Sequence, residues 1–200
     1  YFRKYNHTKM NFAMVYAYSE NYMLVLSHDE VVHLKCSMIE KMPGSYEEKF
    51  KNLMAGYAFM TGHPGKKLLF MGQDFGQHRE WSEERELDWF LLEKEPNHQL
   101  QLFVKELLHL YKSNKCLYEY DCWPEGFEWI NADDGDRSIF SFVRHSASGK
   151  NNMLFVINFT PVERPDYRVG TTCRRKHTLV LNSDDKKFGG KGKRRPKEYK

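Results

Sequence analysis

The sequence lacks the features that mark membrane and exported proteins. No run approaches the roughly 18 consecutive apolar residues that a membrane helix needs, and residues 1–20 lack the basic-then-apolar order of a signal peptide. These absences favour a cytoplasmic protein without a membrane partner. The chain begins at Tyr1 rather than Met, which indicates a fragment of a longer protein.

The sequence also lacks internal repeats and closely spaced cysteines. Its four cysteines, at positions 36, 116, 122 and 173, show none of the two-residue spacings of zinc sites. Reduced cytosolic thiols are therefore the expected state of these side chains.

The chain does contain enough apolar material for a sizeable core, with 40% hydrophobic and 15% aromatic residues among 200. Its net charge of +4 is concentrated near the C-terminus, where residues 186–200 hold eight basic residues against Glu198. Such a segment either binds nucleic acid or is a solvated loop. We favour a solvated loop without a nucleic-acid partner, because the segment lacks the aromatic stacking pattern of single-strand binders.

Two strong helices are predicted from apolar residues at helical spacing. The first runs from Ser45 to Thr61, where Ser45 and Glu48 form a capping box. Its apolar stripe consists of Phe50, Leu53, Met54, Tyr57 and Ala58. The second runs from Asn97 to about Ser113. Its stripe consists of Leu100, Phe103, Val104, Leu107, Leu108 and Tyr111.

The first 115 residues alternate helices with strands. A moderate helix is predicted over Asn11–Tyr18 and a strand over Tyr22–Leu26; the apolar run Leu68–Met71 predicts a strand buried on both faces. One helix between successive strands indicates a parallel α/β fold, either doubly wound or a (β/α) barrel.

After Lys115 the pattern changes to short strands separated by turns, which indicates an all-β, antiparallel region. The predicted strands are Phe127–Ile130, Ser138–Arg144, Asn152–Phe159 and His177–Asn182. We therefore expect two domains, of residues 1–115 and 116–200.

The run Ser27-His28-Asp29-Glu30 follows the first predicted strand, and His33 lies just beyond it. Reactive groups collect at such C-terminal strand ends in α/β folds. A divalent-metal site is one interpretation, but the five-residue separation of the histidines does not match a helical His-Glu-x-x-His motif. No metal is expected.

Two other interpretations of His28 and Asp29 remain. Asp29 is suited to face the positive charge that develops in glycosyl transfer, with His28 as its hydrogen-bonding neighbour. Alternatively, both residues only cap the turn after the strand. The second predicted strand ends in a similar polar run, Gly72–Trp81, which we expect at the same rim.

Several runs along the chain carry a family resemblance. They include Leu26-Ser27-His28-Asp29-Glu30-Val31-Val32-His33, Lys41-Met42-Pro43-Gly44, Arg79-Glu80-Trp81, Leu87-Asp88-Trp89 and residues 18–21, 63–73, 124–130, 156–162 and 181–184. In this order, over nearly the whole chain, they resemble the α-amylase superfamily, glycoside hydrolase family thirteen, and within it the bacterial glycogen branching enzymes.

The resemblance implies a fold of class α/β plus all-β. Tyr22–Leu26 and Leu68–Met71 would be the seventh and eighth strands of a (β/α)8 barrel, so that residues 1–115 are the last part of the catalytic barrel. Residues 116–200 would be an incomplete C-terminal antiparallel β-sandwich. The piece would be truncated at both ends.

The resemblance also implies roles for single residues. Asp29 would be the third catalytic carboxylate, which binds sugar hydroxyls and stabilises the transition state, and His28 would donate to the same sugar. The remaining candidates for substrate contact are Glu30, His33, Gln73, Asp74 and Trp81. Glu30 and His33, together with Lys35, also suit a role in organising the loop around Asp29, and Gln73 and Asp74 suit a turn equally well.

The activity implied is retaining double displacement on an α-1,4-glucan such as glycogen, with transfer to a 6-hydroxyl to form an α-1,6 branch. That chemistry needs no metal or organic cofactor. The family's nucleophilic Asp and acid/base Glu motifs do not occur in these 200 residues, so we expect the fragment to be inactive without the rest of the barrel. The alternatives are an amylase or debranching hydrolase on the same fold, or a non-catalytic module that binds glucan or nucleic acid.

The sequence departs from the family pattern near the site. Leu34-Lys35-Cys36 stands where the family usually has Gly-Lys-Gly, which puts the shape of this loop in question, because glycine adopts a positive φ freely. Val25 replaces a proline, and Asp74 stands where many relatives carry Glu. Since two strands cannot close a barrel, the isolated piece should leave apolar strand residues poorly covered: Leu24, Leu26, Leu69 and Met71.

Overall fold

The computed structural model describes residues 2–193 and 195–199. Four α-helices lie in this part of the chain: α1 (Phe2–Tyr5), α2 (Thr8–Asn11), α3 (Tyr46–Gly62) and α4 (Glu95–Ser113). Seven strands lie there as well: β1 (Met23–Leu26), β2 (Lys66–Leu69), β3 (Phe127–Asp134), β4 (Ile139–Arg144), β5 (Met153–Asn158), β6 (His177–Thr178) and β7 (Glu198–Tyr199). None of the helices described is long and apolar enough to cross a membrane.

The two strong helices are confirmed as α3 and α4. The capping box is present in α3, where the Ser45 amide donates to the Glu48 carboxylate at 2.7 Å and the Glu48 amide donates to the Ser45 hydroxyl at 3.3 Å. Most stripe residues of both helices are buried. Ala58 and Tyr111 are half-buried. Leu108 is exposed, because the buried face of α4 is centred on Leu100, Phe103, Val104 and Leu107.

Other elements differ from the sequence prediction in extent. The moderate helix of residues 11–18 is wrong as placed, because α2 ends at Asn11 and a 3-10 helix covers Phe12–Val15. The β2 strand begins two residues before the apolar run and is only half-buried, so burial on both faces is not observed in this chain. Met71 lies beyond the strand and is exposed.

The strands form three sheets. One joins β1 and β2, another has the order β3-β4-β5, and the last joins β6 and β7. Pairing is antiparallel between β3 and β4, β4 and β5, and β6 and β7, as predicted for the C-terminal region. The predicted strand His177–Asn182 is shortened to the two residues of β6.

The chain divides into two compact units, each assembled from three stretches. Unit 1 contains the described residues of Tyr1–Leu24, Ala58–Lys67 and Leu110–Cys173, and unit 2 contains those of Val25–Tyr57, Leu68–His109 and Arg174–Lys200.

The core of unit 1 is an aromatic cluster on the central strand β4. Phe142 stacks on Phe155 with ring centroids 5.1 Å apart and meets Phe59 edge-on at 5.8 Å. A Cβ added to Gly62 would lie 2.7 Å from the Phe142 ring, so this close approach requires glycine.

A buried ionic network lies beside this cluster in unit 1. Arg144 has no exposed surface, and its guanidinium donates to two backbone carbonyls and to the Asp121 carboxylate, each at 3.0 Å. Asp121 also accepts from Lys66 at 3.0 Å and from the Tyr111 hydroxyl at 3.1 Å. Every oxygen of the buried carboxylate is therefore hydrogen-bonded.

The core of unit 2 is formed by the buried faces of its helical segments. The buried Tyr57 hydroxyl donates to the Gln73 carbonyl at 2.9 Å, and Asn97 donates to the Phe75 carbonyl at 2.7 Å. These bonds fix the turn that follows β2. In the basic segment, Phe188 is buried against Phe103 at 5.1 Å, while Arg194 and Lys200 lie outside the described residues.

Candidate functional site

The predicted carboxylate lies in a short turn directly after β1. Residues His28–Glu30 form one turn of 3-10 helix, and the Asp29 side chain is 70% exposed. One Asp29 oxygen accepts from the Ser27 hydroxyl at 3.2 Å, and the other lies 3.5 Å from His28 Nε2. The carboxylate is thus open to a ligand and has an imidazole beside it.

The loop after this turn has an unusual backbone. His33, Leu34 and Cys36 have φ values of 56°, 63° and 64°, in the left-handed region that disfavours residues with a Cβ. The loop therefore has positive-φ geometry at both positions where the branching-enzyme pattern has glycine. Burial does not compensate for the strain, because Leu34 is 95% exposed.

The side chain of Glu80 contacts the backbone of this loop. One of its carboxylate oxygens accepts from the Leu34 amide at 3.2 Å and the other from the Cys36 amide at 2.7 Å. The next residue continues the attachment, since the Trp81 amide donates to the Val31 carbonyl at 3.0 Å. Residues 80 and 81 are thereby bound to residues 31–36.

Trp81 belongs to a loop that an ion pair closes. Arg79 Nε donates to Asp88 Oδ2 at 2.8 Å, and a second Arg79 nitrogen donates to the other oxygen. The hydrogen bond from Arg79 holds the pKa of the buried Asp88 carboxyl below its usual value. The pair joins the two ends of residues 79–88 and so restricts where Trp81 lies.

A groove of about 580 Å³ lies between the two loops. Its lining is mixed, with aromatic and aliphatic side chains beside polar ones, as in sites for small organic ligands. It is lined by His28, Val32, His33, Phe70, Met71, Trp81, Ser82 and Glu83. The Trp81 ring packs edge-on against Phe70 at 5.2 Å and against His28 at 6.3 Å.

The structure brings together only some of the predicted site residues. His28, His33 and Trp81 line the groove, whereas Asp29 does not line it and lies 3.5 Å from His28. Glu30 pairs with Lys41 at 3.2 Å. Asp74 accepts from Gln101 at 3.0 Å and does not line the groove.

Gln73 also lies away from the groove. Its side chain is buried at a separate cavity of about 10 Å³, and its Oε1 accepts from the Phe70 amide at 3.2 Å. Its Nε2 has no hydrogen-bond partner in the described part of the chain. This geometry suits the turn role that the sequence left open for Gln73.

Sequence reasoning assigned no role to Glu80, Asp88 or Glu83. Glu80 and Asp88 lie inside two of the family-like runs, but the sequence did not show what they contact.

Chemically, the site offers an exposed carboxylate, imidazoles that can donate to hydroxyls, and an indole on which the apolar face of a ring can pack. Among the described residues, no group of three His, Cys, Asp or Glu side chains is placed to hold a metal ion.

Known proteins resemble the chain over its whole length. Residues 129–200 match the family described as alpha amylase, C-terminal all-beta domain. A 1,4-alpha-glucan branching enzyme GlgB from Butyrivibrio fibrisolvens is 56% identical over 200 residues, which are 100% of this chain and 31% of that protein. Proteins of the same name from Aquifex aeolicus and Geobacillus stearothermophilus are 50% and 48% identical over 96% and 98% of the chain, and 30% of each relative is covered. The chain therefore spans about a third of the length of the curated relatives it matches.

Proposed function

We propose that this chain, which belongs to the 1,4-alpha-glucan branching enzyme family of the α-amylase superfamily, provides the transition-state-stabilising carboxylate and one wall of the glucan groove in such an enzyme. Asp29 is the proposed carboxylate. The observation that carries the proposal is the exposure of its side chain 3.5 Å from His28, whose imidazole lines the groove.

The proposed reaction is a retaining double displacement. An α-1,4 bond is broken with formation of a covalent glycosyl-enzyme, and a glucan 6-hydroxyl then resolves this intermediate to give an α-1,6 branch. In both steps the sugar ring gains positive charge, which a nearby carboxylate stabilises. Asp29 would supply the negative charge that stabilises the ring. The nucleophile and the acid/base group would come from other parts of the protein.

The groove suits a glucan chain for two reasons. Trp81 presents an indole whose apolar face can stack on a sugar ring, and His28 and His33 can donate to sugar hydroxyls. We assign these three residues to direct sugar contact. Glu30, Gln73 and Asp74 support the site instead, because their side chains are engaged with Lys41, the Phe70 amide and Gln101.

The proposal includes the wider architecture. The β1 and β2 strands would be the seventh and eighth strands of a (β/α)8 barrel, residues 1–115 the last part of that barrel, and residues 116–200 an antiparallel C-terminal domain. The reactive turn then lies at the C-terminal end of a barrel strand, where barrel enzymes place their chemistry. Glycogen biosynthesis in the cytoplasm is the corresponding cellular role.

The test is an Asp29→Asn exchange in the intact branching protein that contains this chain. Asparagine keeps the shape and removes the charge, so we expect turnover on amylose to fall by several orders of magnitude, within the roughly 10²–10⁴-fold cost typical of a lost catalytic group. The matched control is Asp136→Asn, because that carboxylate is also exposed, at 79%, and lies outside the groove. The control should keep normal turnover.

Linkage analysis of the products separates the proposed reaction from hydrolysis. New α-1,6 linkages without a net gain of reducing ends support branching. Release of reducing ends alone would show a hydrolase. Near-normal turnover of the Asp29→Asn variant would refute the role of this carboxylate.

A further inference from the structure

We infer that Glu80 is a positioning residue for the Asp29 site. Its carboxylate holds the loop of residues 33–36, in which His33, Leu34 and Cys36 have a left-handed backbone conformation, and thereby sets where Lys35 and the Asp29 backbone lie. The effect on glucan transfer rests on the proposed function, whereas the contact between Glu80 and the loop does not.

The loop needs an external contact because its own residues disfavour its shape. Leu34 and Cys36 both carry a Cβ that is crowded at positive φ. Leu34 is 95% exposed, so its side chain gains little from packing in this position. Strained residues of this kind persist only where surrounding contacts maintain them.

Glu80 provides that contact with both carboxylate oxygens. Its two oxygens accept from the amides of Leu34 and Cys36, the residues before and after Lys35, at 3.2 and 2.7 Å. Because the acceptor is ionised, these bonds are stronger than bonds between neutral groups. Glu80 is itself fixed, since Arg85 donates to its carbonyl at 2.8 Å and the next amide is bonded to Val31.

Lys35 connects the loop to the catalytic turn. Its ammonium donates to the main-chain carbonyl of Asp29 at 2.7 Å. Fixing the amides on both sides of Lys35 directs this side chain toward the turn. A side chain 51 residues away along the sequence therefore bears on where the Asp29 carboxylate lies, although Glu80 does not line the groove.

The experiment uses the intact protein with a Glu80→Gln exchange and, as control, Glu84→Gln, an exposed residue of the same 79–88 loop. Glutamine keeps the size of the side chain and removes the charge. We expect amide hydrogen exchange in residues 33–36 to become about tenfold faster. Loss of about one hydrogen bond to a charged group lowers protection against exchange by about a factor of ten. The kcat on amylose should fall roughly tenfold to a hundredfold, as for an ångström-scale misplacement, with KM nearly unchanged. The control should change neither quantity.

A rescue variant distinguishes positioning from a general loss of structure. Glycine adopts positive φ without the Cβ clash. The double exchange Leu34→Gly and Cys36→Gly should therefore let the loop keep its conformation when the Glu80 contact is weakened. Added to Glu80→Gln, the two glycines should restore most of the lost kcat. If Glu80 acted in some other way, they would restore nothing.

Each outcome decides the inference. Unchanged loop exchange in Glu80→Gln would overturn it, and so would faster exchange with normal kcat, because the loop would then not position the site. If the intact wild-type protein forms no α-1,6 linkages, the proposed function fails and the effect on transfer fails with it. The exchange measurement still shows in that case whether Glu80 holds the loop.

Discussion

Arg144→Met should be among the most destabilising single changes in unit 1. The guanidinium is fully buried and donates to the Gly62 and Gly126 carbonyls and to Asp121. Methionine fills much of the same volume but leaves three buried acceptors each without one donor. Asp121 keeps its bonds from Lys66 and Tyr111, which limits the damage. Breaking a buried pair from one side costs about 3–5 kcal/mol.

Amide hydrogen exchange at β4 measures this loss within the intact protein. With about 1.4 kcal/mol for each factor of ten, exchange should accelerate roughly 100- to 3,000-fold. The control is Arg137→Met, because Arg137 is 53% exposed and pairs with Asp134 at 2.9 Å. The Asp134 carboxylate is buried, but it keeps the hydrogen bond from the Tyr167 hydroxyl at 2.6 Å. Because the Arg137 guanidinium is exposed and solvated, its loss should cost less than the loss of Arg144. An acceleration below tenfold in Arg144→Met, or one no larger than in the control, would refute the reasoning.

Two further predictions concern pH and ligand binding. Burial lowers the pKa of Lys67 from its ordinary value of 10.5 to about 7. Between these two values the unfolded chain binds more protons than the folded one, so unit 1 should become more stable as pH rises from about 7 toward 10.5. Lys67→Met should flatten this rise in denaturant midpoints, and an unchanged rise would contradict the assignment. Trp81→Leu should weaken maltoheptaose binding roughly tenfold through lost ring contact, as measured by titration calorimetry. Trp89 lies outside the groove, so Trp89→Leu should leave maltoheptaose binding unchanged. Equal losses of affinity in the two variants would argue against Trp81 as the residue that stacks on the sugar.

The parts of the fold that local signals determine were predictable from the sequence. The Ser45–Glu48 capping box lies within four residues, and it placed the start of α3 within one residue of the observed bound. The β2 boundary depends instead on which backbone groups find a partner. The Lys66 amide bonds to the Tyr22 carbonyl at 3.1 Å, which begins β2 before the apolar run. No apolar pattern shows where such a pairing begins.

The candidate site shows the same limit. Polar residues after a strand predicted both His28–Asp29 and Gln73–Asp74, but the two turns differ in what they contact. Asp29 is exposed, whereas the Gln73 side chain is buried and bonded to Phe70. The missing glycines at 34 and 36 put the shape of this loop in question, and the structure has positive φ at both positions. What relieves that strain, a carboxylate more than 40 residues away, depends on tertiary folding.

The incomplete burial of β1 and β2 connects the architecture to the chemistry. Met23 and Val25 are exposed, and the two strands pair only with each other among the described residues. A two-stranded sheet is marginal in water, since it has few ladder bonds and two open faces. Asp29 lies three residues beyond β1. In the proposed barrel, the flanking strands would therefore both supply the missing catalytic groups and hold β1 in place. The position of the carboxylate would then depend on completion of the sheet as well as on the loop contacts that orient it.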